Sequence, residues 1–234
     1  IQTQRNELTY DFAFHLKEAI KYNNCYYNQE KYQCLLVDNI LGYDYSQYIP
    51  VGSIDFVLKF YKQYYNIEGI KPIGIPDELN KMEFTKRELK QFYTETASEE
   101  TTKVFADSKD DFEDYTDIVE MKELPLKKKL IISPVLKLDS EWRAFVYNGK
   151  LVDIRNYNGD FAIFPNMELI NKMISEYIDA PKAYTIDVAI DDEGDTIVVE
   201  VHQFFSCNLY GFSNYKILPD MFIATHKEII SLKV

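Results

Sequence analysis

Glycine is scarce in this chain, with eight in 234 residues. None falls in a phosphate-cradling loop, since neither G-x-x-x-x-G-K-[ST] nor G-x-G-x-x-G occurs. Any phosphate bound here must be held by side chains and metal ions rather than by a backbone cradle. Histidine is rarer still. His15, His202 and His226 are too few and too scattered for a His-rich zinc site, and no H-E-x-x-H or G-x-S-x-G motif is present. The three cysteines, Cys25, Cys34 and Cys207, are odd in number and lack metal-type spacing. That argues against a disulfide framework and fits a reducing, cytoplasmic compartment. Cys207 follows Ser206 without a helix start or a paired base, so it reads as a small buried residue and not a nucleophile. No apolar run approaches the ~18 residues of a membrane span, and no leader-like segment is visible, so no membrane partner is expected. Positive charge is also short. Lys and Arg number 26 against 38 Asp and Glu, for a net charge of −12. Such a surface repels phosphate backbones, so no general nucleic-acid-binding face is expected.

What is present suits one or two soluble domains, at roughly 100–200 residues each. Hydrophobic residues make up 46% and aromatics 15%, with 19 Tyr able to sit half-buried with the hydroxyl in water. Residues 8–22 carry an apolar stripe of Leu8, Phe12, Leu16, Ala19 and Ile20 that predicts a helix. Tyr32 to Val37 reads as a short buried strand. Ser53 is placed to cap a second helix bearing Ile54, Val57, Leu58 and Tyr61. Residues 94–129 are polar and charged, and read as short strands and loops. The chain then turns strongly β. Leu130 to Leu138 reads as a strand with Pro134 inside it, which implies an edge or a bend. Trp142–Tyr147 and Leu151–Tyr157 form a hairpin around Asn148-Gly149. Asn166 caps a helix with Met167, Ile170, Ile174 and Tyr177 on one face. Ala183–Ile190 and Thr196–His202 form a second hairpin.

That second hairpin is the most informative feature. A four-residue loop at 192–195 sets Asp187 opposite Glu200, and Glu200 and His202, two apart, share a face. Two carboxylates directly across a sheet repel unless a cation lies between them. Oxygen ligands of this kind suit Mg²⁺ held together with substrate phosphates. The alternative is an exposed hairpin face with incidental acids. In the first hairpin a three-residue loop with a bulge, Asn148 to Lys150, sets Arg143 opposite Arg155. Paired guanidinium groups grip phosphate or carboxylate bidentately. The alternative there is two arginines paired with nearby acids. Lys103 and Lys109, six apart with Phe105 and Phe112 nearby, could reach phosphates from the polar segment.

Order and residue type together resemble the ATP-grasp superfamily. SEWRAFVYNGKLVDIRNY (140–157) resembles its arginine-bearing strand pair, and TIDVAIDDEGDTIVVEVHQ (185–203) resembles its metal hairpin. PVGS (50–53), the Lys103/Lys109 spacing, SPVLKLDSEWRAFV (133–146) and SCNLYG (206–211) are similar to a compact bacterial and phage clade named for its paired arginines and a lysine. The resemblance spans about residues 30–215. Three positions depart from the pattern: His202 stands where the family usually has Asn, Val104 replaces a Pro, and Glu113 replaces a Gly.

The resemblance implies an α/β (α+β) fold of ATP-grasp architecture. A small α/β N-terminal region (1–93) would precede an ATP-grasp domain (94–234), comprising a lid-like subdomain (about 94–132) and a metal and phosphate subdomain (about 133–234). The implied activity is ATP-dependent carboxylate–amine ligation through an acyl-phosphate. The implied cofactors are ATP and Mg²⁺, with Mn²⁺ as an alternative ion; the imidazole of His202 is a poorer Mg²⁺ ligand than an amide oxygen. Lys103, Lys109 and Glu141 would serve the nucleotide, with Ser133, Pro134, Val135 and Leu136 as the adenine hinge. Arg143 and Arg155 would act on the transferring phosphoryl group, and Asp187, Glu200 and His202 on the metal. Small-molecule or peptide carboxylates and amines are the expected partners. Two other readings compete: an ATP-grasp protein that binds nucleotide or a partner without catalysis, and an acidic interaction protein.

Overall fold

The computed structural model describes residues 1–94, 101–108 and 116–232. Lys109, Phe112 and Glu113 lie outside the described residues. Two helices lead the chain, α1 (Asp11–Tyr26) and α2 (Ile54–Tyr65). The Ser53 hydroxyl caps α2 by accepting from Phe56 N at 3.2 Å, and Asn66 ends it in the left-handed region at φ 55°. Phe56, Val57, Phe60 and Tyr61 form its buried stripe. Helix α1 starts three residues later than the stripe at 8–22 predicts, and it buries Phe12, Leu16 and Ala19.

Tyr32 to Val37 is not a buried strand. Residues 33–36 are exposed, and the segment makes a single parallel bridge, Gln2 to Val37. Its apolar run reads as a core strand, but its neighbour is only the extended start of the chain. Three backbone bonds tie it there: Ile1 N to Leu35 O, Val37 N to Ile1 O and Thr3 N to Val37 O.

The described residues form two four-stranded antiparallel sheets. The first takes β1 (Lys90–Tyr93), β2 (Lys103–Ser108), β3 (Thr116–Glu120) and β4 (Lys129–Pro134), in the order β1-β4-β2-β3. The short α3 (Met82–Thr85) precedes it. The second takes β5 (Leu138–Tyr147), β6 (Lys150–Gly159), β7 (Ala183–Asp191) and β8 (Thr196–Gln203), in the order β6-β5-β7-β8. Pro134 therefore ends a strand instead of bending one. It lacks the N–H that a continuing ladder needs, and the chain passes through 135–137 from the first sheet to the second.

Both hairpin registers match the sequence expectation, by a different route. In the first, Asn148 (φ 49°) and Gly149 (φ 69°) form a two-residue turn between Tyr147 and Lys150. A bulge at Val152 then adds the extra residue and sets Arg143 opposite Arg155. In the second, Ile190 pairs with Thr196, leaving a loop one residue longer than expected. A bulge at Val199 restores the offset and sets Asp187 opposite Glu200.

The second sheet is covered on both faces. Trp142, Ala144, Val146, Ile186 and Val188 pack on Ile170, Met173 and Ile174 of α4 (Met167–Glu176) and on Phe84 of α3. Asn166 caps α4 as expected, accepting from Glu168 N and Leu169 N. On the opposite face, Phe145 and Ala183 pack on Phe12 and Leu16 of α1 and on Leu218, Met221 and Phe222 of α5 (Leu218–Ser231). Those helices cover one end of that face, and a row of charged residues crosses the sheet beyond Phe145. Among the described residues no helix is long and apolar enough to cross a membrane.

Candidate nucleotide and metal site

One charged residue from each strand forms a row across the second sheet. Arg155 on β6 faces Arg143 on β5, Arg143 faces Asp187 on β7, and Asp187 faces Glu200 on β8. Arg143 and Asp187 are only 7% and 5% exposed, and they form a bidentate pair. Arg143 Nε donates to Asp187 Oδ1 and Nη2 donates to Oδ2, each at 2.7 Å. A third donor, Nη1, reaches the carbonyl of Asn208 at 3.0 Å. Burial opposes the charge on both partners, but the pairing outweighs it. The Arg143 guanidinium is held more firmly protonated than usual, and the Asp187 carboxyl lies below its usual range.

His202 stands beside both carboxylates. Its Nε2 lies 3.4 Å from Asp187 Oδ2 and 3.3 Å from Glu200 Oε2. Burial pulls the imidazole down, but the hydrogen bond to Asp187 and the charge of Glu200 raise it above the ordinary value. Glu200 moves up for a different reason. Burial raises its carboxyl, and the negative charges of Asp107 and Asp187 add to this against the pull of His202. Asp107 belongs to β2, so the first sheet comes within electrostatic reach of the row.

The donor chemistry here, two carboxylates and an imidazole, is of the kind that takes a divalent ion. The donors are not gathered around one. Among the described residues no group of three or more His, Cys, Asp and Glu side chains is arranged to hold a metal ion. Asp187 spends its charge on Arg143 instead, although its Oδ1 keeps a further lone pair.

Arg155 is paired as well. Its Nη2 donates to Asp153 Oδ2 at 2.9 Å and to Ser213 Oγ at 2.7 Å. Its Nε is buried and has no partner among the described residues. So both arginines have nearby acids, as the alternative reading of the sequence allows. Arg143, however, is buried, and Arg155 keeps an uncommitted donor.

Glu141 accepts from Tyr157 Oη at 3.1 Å and from Asn158 Nδ2 at 2.5 Å. Lys103, the first residue of β2, is exposed opposite Glu120. Ser133 is buried, and its hydroxyl donates to the Pro134 carbonyl at 3.2 Å. Pro134 and Val135 are exposed and Leu136 is half-buried, on the connection between the sheets. Cys207 is buried, and burial pushes its thiol up, the setting of a small structural cysteine.

Several neighbours went unread in the sequence. The Tyr157 and Tyr210 rings stack 5.0 Å apart, and the Tyr210 ring lies 5.1 Å from the Arg143 guanidinium carbon. Asp153, Arg155 and Tyr157 recur at the two-residue period of one strand face, and that spacing was the available signal. Nothing local marks Asn208 or Asp107.

Residues 84–218 match an ATP-grasp domain family, the second family of the clade named for two arginines and a lysine. The chain belongs to this family. No curated protein matches the sequence. Among solved structures, this chain resembles the ligase PsnB in complex with a minimal precursor at 15% identity and TM-score 0.39, covering 53% of this chain and 48% of that one. It resembles D-alanine–D-alanine ligase from Bacillus anthracis at 16% identity and TM-score 0.41, covering 63% of each chain. It also resembles N5-carboxyaminoimidazole synthetase from Staphylococcus aureus at 9% identity and TM-score 0.37, covering 56% of this chain and 41% of that one. The match thus spans about half the length of PsnB.

Proposed function

We propose that this ATP-grasp domain catalyses ATP-dependent ligation of a carboxylate to an amine through an acyl-phosphate. The observation that carries the reading is the row Arg155–Arg143–Asp187–Glu200, set across one sheet in a chain of the ATP-grasp family. In the first step a carboxylate oxygen bonds to the γ-phosphorus of ATP and ADP leaves. In the second the amine nitrogen bonds to the acyl carbon, phosphate leaves and the amine gives up a proton.

The arginines are built for the charge of both steps. A guanidinium has five N–H donors. Arg143 uses three, on Asp187 and Asn208, which fixes its plane and leaves two for phosphoryl oxygens. Arg155, paired across the strands with Arg143, keeps its Nε without a partner among the described residues. Donors fixed before the reaction stabilise developing charge without reorganising, so no side-chain nucleophile is required. Lys103 and Lys109 are proposed on the nucleotide phosphates and residues 133–136 at the adenine edge, with Glu141 nearby. Asp187, Glu200 and His202 would hold Mg²⁺ or Mn²⁺, which supplies neutralising charge to the phosphate oxygens when bound.

The pairing of Arg143 with Asp187 also favours a second reading, nucleotide binding without turnover. ADP release across a wide panel of amino acids and short peptides separates the two. The ligase reading expects release with at least one carboxylate–amine pair, and loss of it in Asp187→Ala and Glu200→Ala. A variant turning over like the parent chain defeats the ligase reading. Tight Mg·ATP binding with no release across the panel favours the second.

A further inference from the structure

We infer that Asp11, in the first turn of α1, positions Arg143 from outside the segment that the family match covers. The inference rests on the phosphate role proposed for Arg143. The link is a single peptide group. Asp11 Oδ2 accepts from Leu209 N at 2.7 Å and from Tyr210 N at 2.9 Å. The Leu209 N–H belongs to the same peptide plane as the Asn208 carbonyl, and that carbonyl accepts from Arg143 Nη1 at 3.0 Å. The peptide is planar, with its N–H and C=O pointing in opposite directions. Holding one end on Asp11 therefore aims the other at Arg143. Bonds in such a chain also polarise and strengthen one another.

The loop cannot easily hold this shape unaided. Tyr210 (φ 47°) and Gly211 (φ 81°) are consecutive left-handed residues, and Tyr210 lacks glycine's freedom there. Buried packing of Leu209 with Phe12 ties the loop to α1 a second time, and Ser206 Oγ donates to the Gly52 carbonyl. Tyr210 then stacks on Tyr157 beside the guanidinium. The start of α1, the loop 206–211 and the charged row thus form one connected unit. Asp11 acts through the Asn208 carbonyl and touches no substrate.

The test compares Asp11→Ala with Asp11→Asn, which keeps a carbonyl oxygen for the two N–H groups. Two readouts are needed: the Arg143 Nε–Hε signal by NMR, assigned through its loss in Arg143→Lys, and the affinity for Mg·ATP. Asp11→Ala should move or broaden the Arg143 signal and weaken Mg·ATP by about tenfold, as expected for misaligning one charge-assisted donor. Asp11→Asn should preserve both. An Asp11→Ala protein that melts cooperatively with the parent signal and affinity overturns the inference. If Asp11→Ala does not fold, Asp11→Glu replaces it. The longer carboxylate should displace the Arg143 signal where the amide does not, and equal signals overturn the proposal. If the parent chain fails to bind Mg·ATP, the nucleotide reading falls while the NMR comparison still decides the role of Asp11.

Discussion

The two sheets share an antiparallel plan and differ in what covers them. The second is packed on both faces, by α3 and α4 on one side and by α1 and α5 on the other. Among the described residues the first has one small core of Val104, Ala106, Leu124, Leu130 and Ile132. The difference maps onto the proposed division of labour. Arginines and carboxylates whose chemistry depends on fixed angles project from the doubly packed sheet. Lys103, proposed to act by reach and charge, projects from the thinly packed one. Low packing lowers the local opening free energy of such a sheet.

The largest expected effect lies in the packed sheet. Asp187→Ala leaves the buried Arg143 without its carboxylate, and breaking such a pair costs about 3–5 kcal/mol. Urea unfolding measures it, and a loss below about 1 kcal/mol would show that the pair is not buried as described. Truncation of each core sharpens the contrast. Phe145→Ala should lower global stability by about 3–5 kcal/mol. Leu130→Ala should cost about 2 kcal/mol, at the low end for its type, because a thin sheet can collapse around the gap. Hydrogen exchange should show that loss confined to β1–β4. Equal, global losses in both variants break the comparison.

A smaller effect is expected at Lys103. Lys103→Ala should weaken Mg·ATP by about tenfold, or roughly 1.4 kcal/mol, without lowering the melting temperature. An unchanged affinity removes Lys103 from the site.

The smallest effect is one of pH slope. His202 has a raised value in the folded chain, so its contribution is complete below the unfolded value of about 6.5 and is lost as pH rises through the folded one. Burial lowers His226, beside Tyr61, so the unfolded chain binds its proton more readily and stability is lost as pH falls from about 6.5 through the folded value. His202→Asn should therefore flatten the alkaline side of a stability–pH curve and His226→Phe the acid side. The same slope in either variant and the parent chain rejects that assignment.

How far the sequence could be read follows from the range of each interaction. Within a hairpin, register is local, and charged residues in apolar strands announce a face. The pairings Arg143–Arg155 and Asp187–Glu200 were legible for that reason. The bulges at Val152 and Val199 were not, yet each offset a loop length misjudged by one residue. The pairing of Arg143 with Asp187 was illegible, because it requires β5 to lie beside β7, and nothing local fixes the order of two hairpins. The apolar run at Tyr32–Val37 misled because its pattern does not reveal how little chain it has to pair with. Helix α5 carries no side-chain cap at Ile217, and only Pro219 and Asp220 in its first turn mark its start. Membership of the ATP-grasp family was legible because its signature lies in the two hairpins.

The central claim is that the charged row of the second sheet receives nucleotide phosphates. Calorimetric titration of Mg·ATP into the parent chain and into Arg155→Ala tests it most directly. Arg155 is partly exposed and its removal leaves the Arg143–Asp187 pair intact, so the variant should fold. The account predicts binding by the parent chain and a loss of about tenfold or more in the variant, the scale of a charge-assisted phosphate contact. No binding by the parent chain, or equal affinity in both, would contradict it.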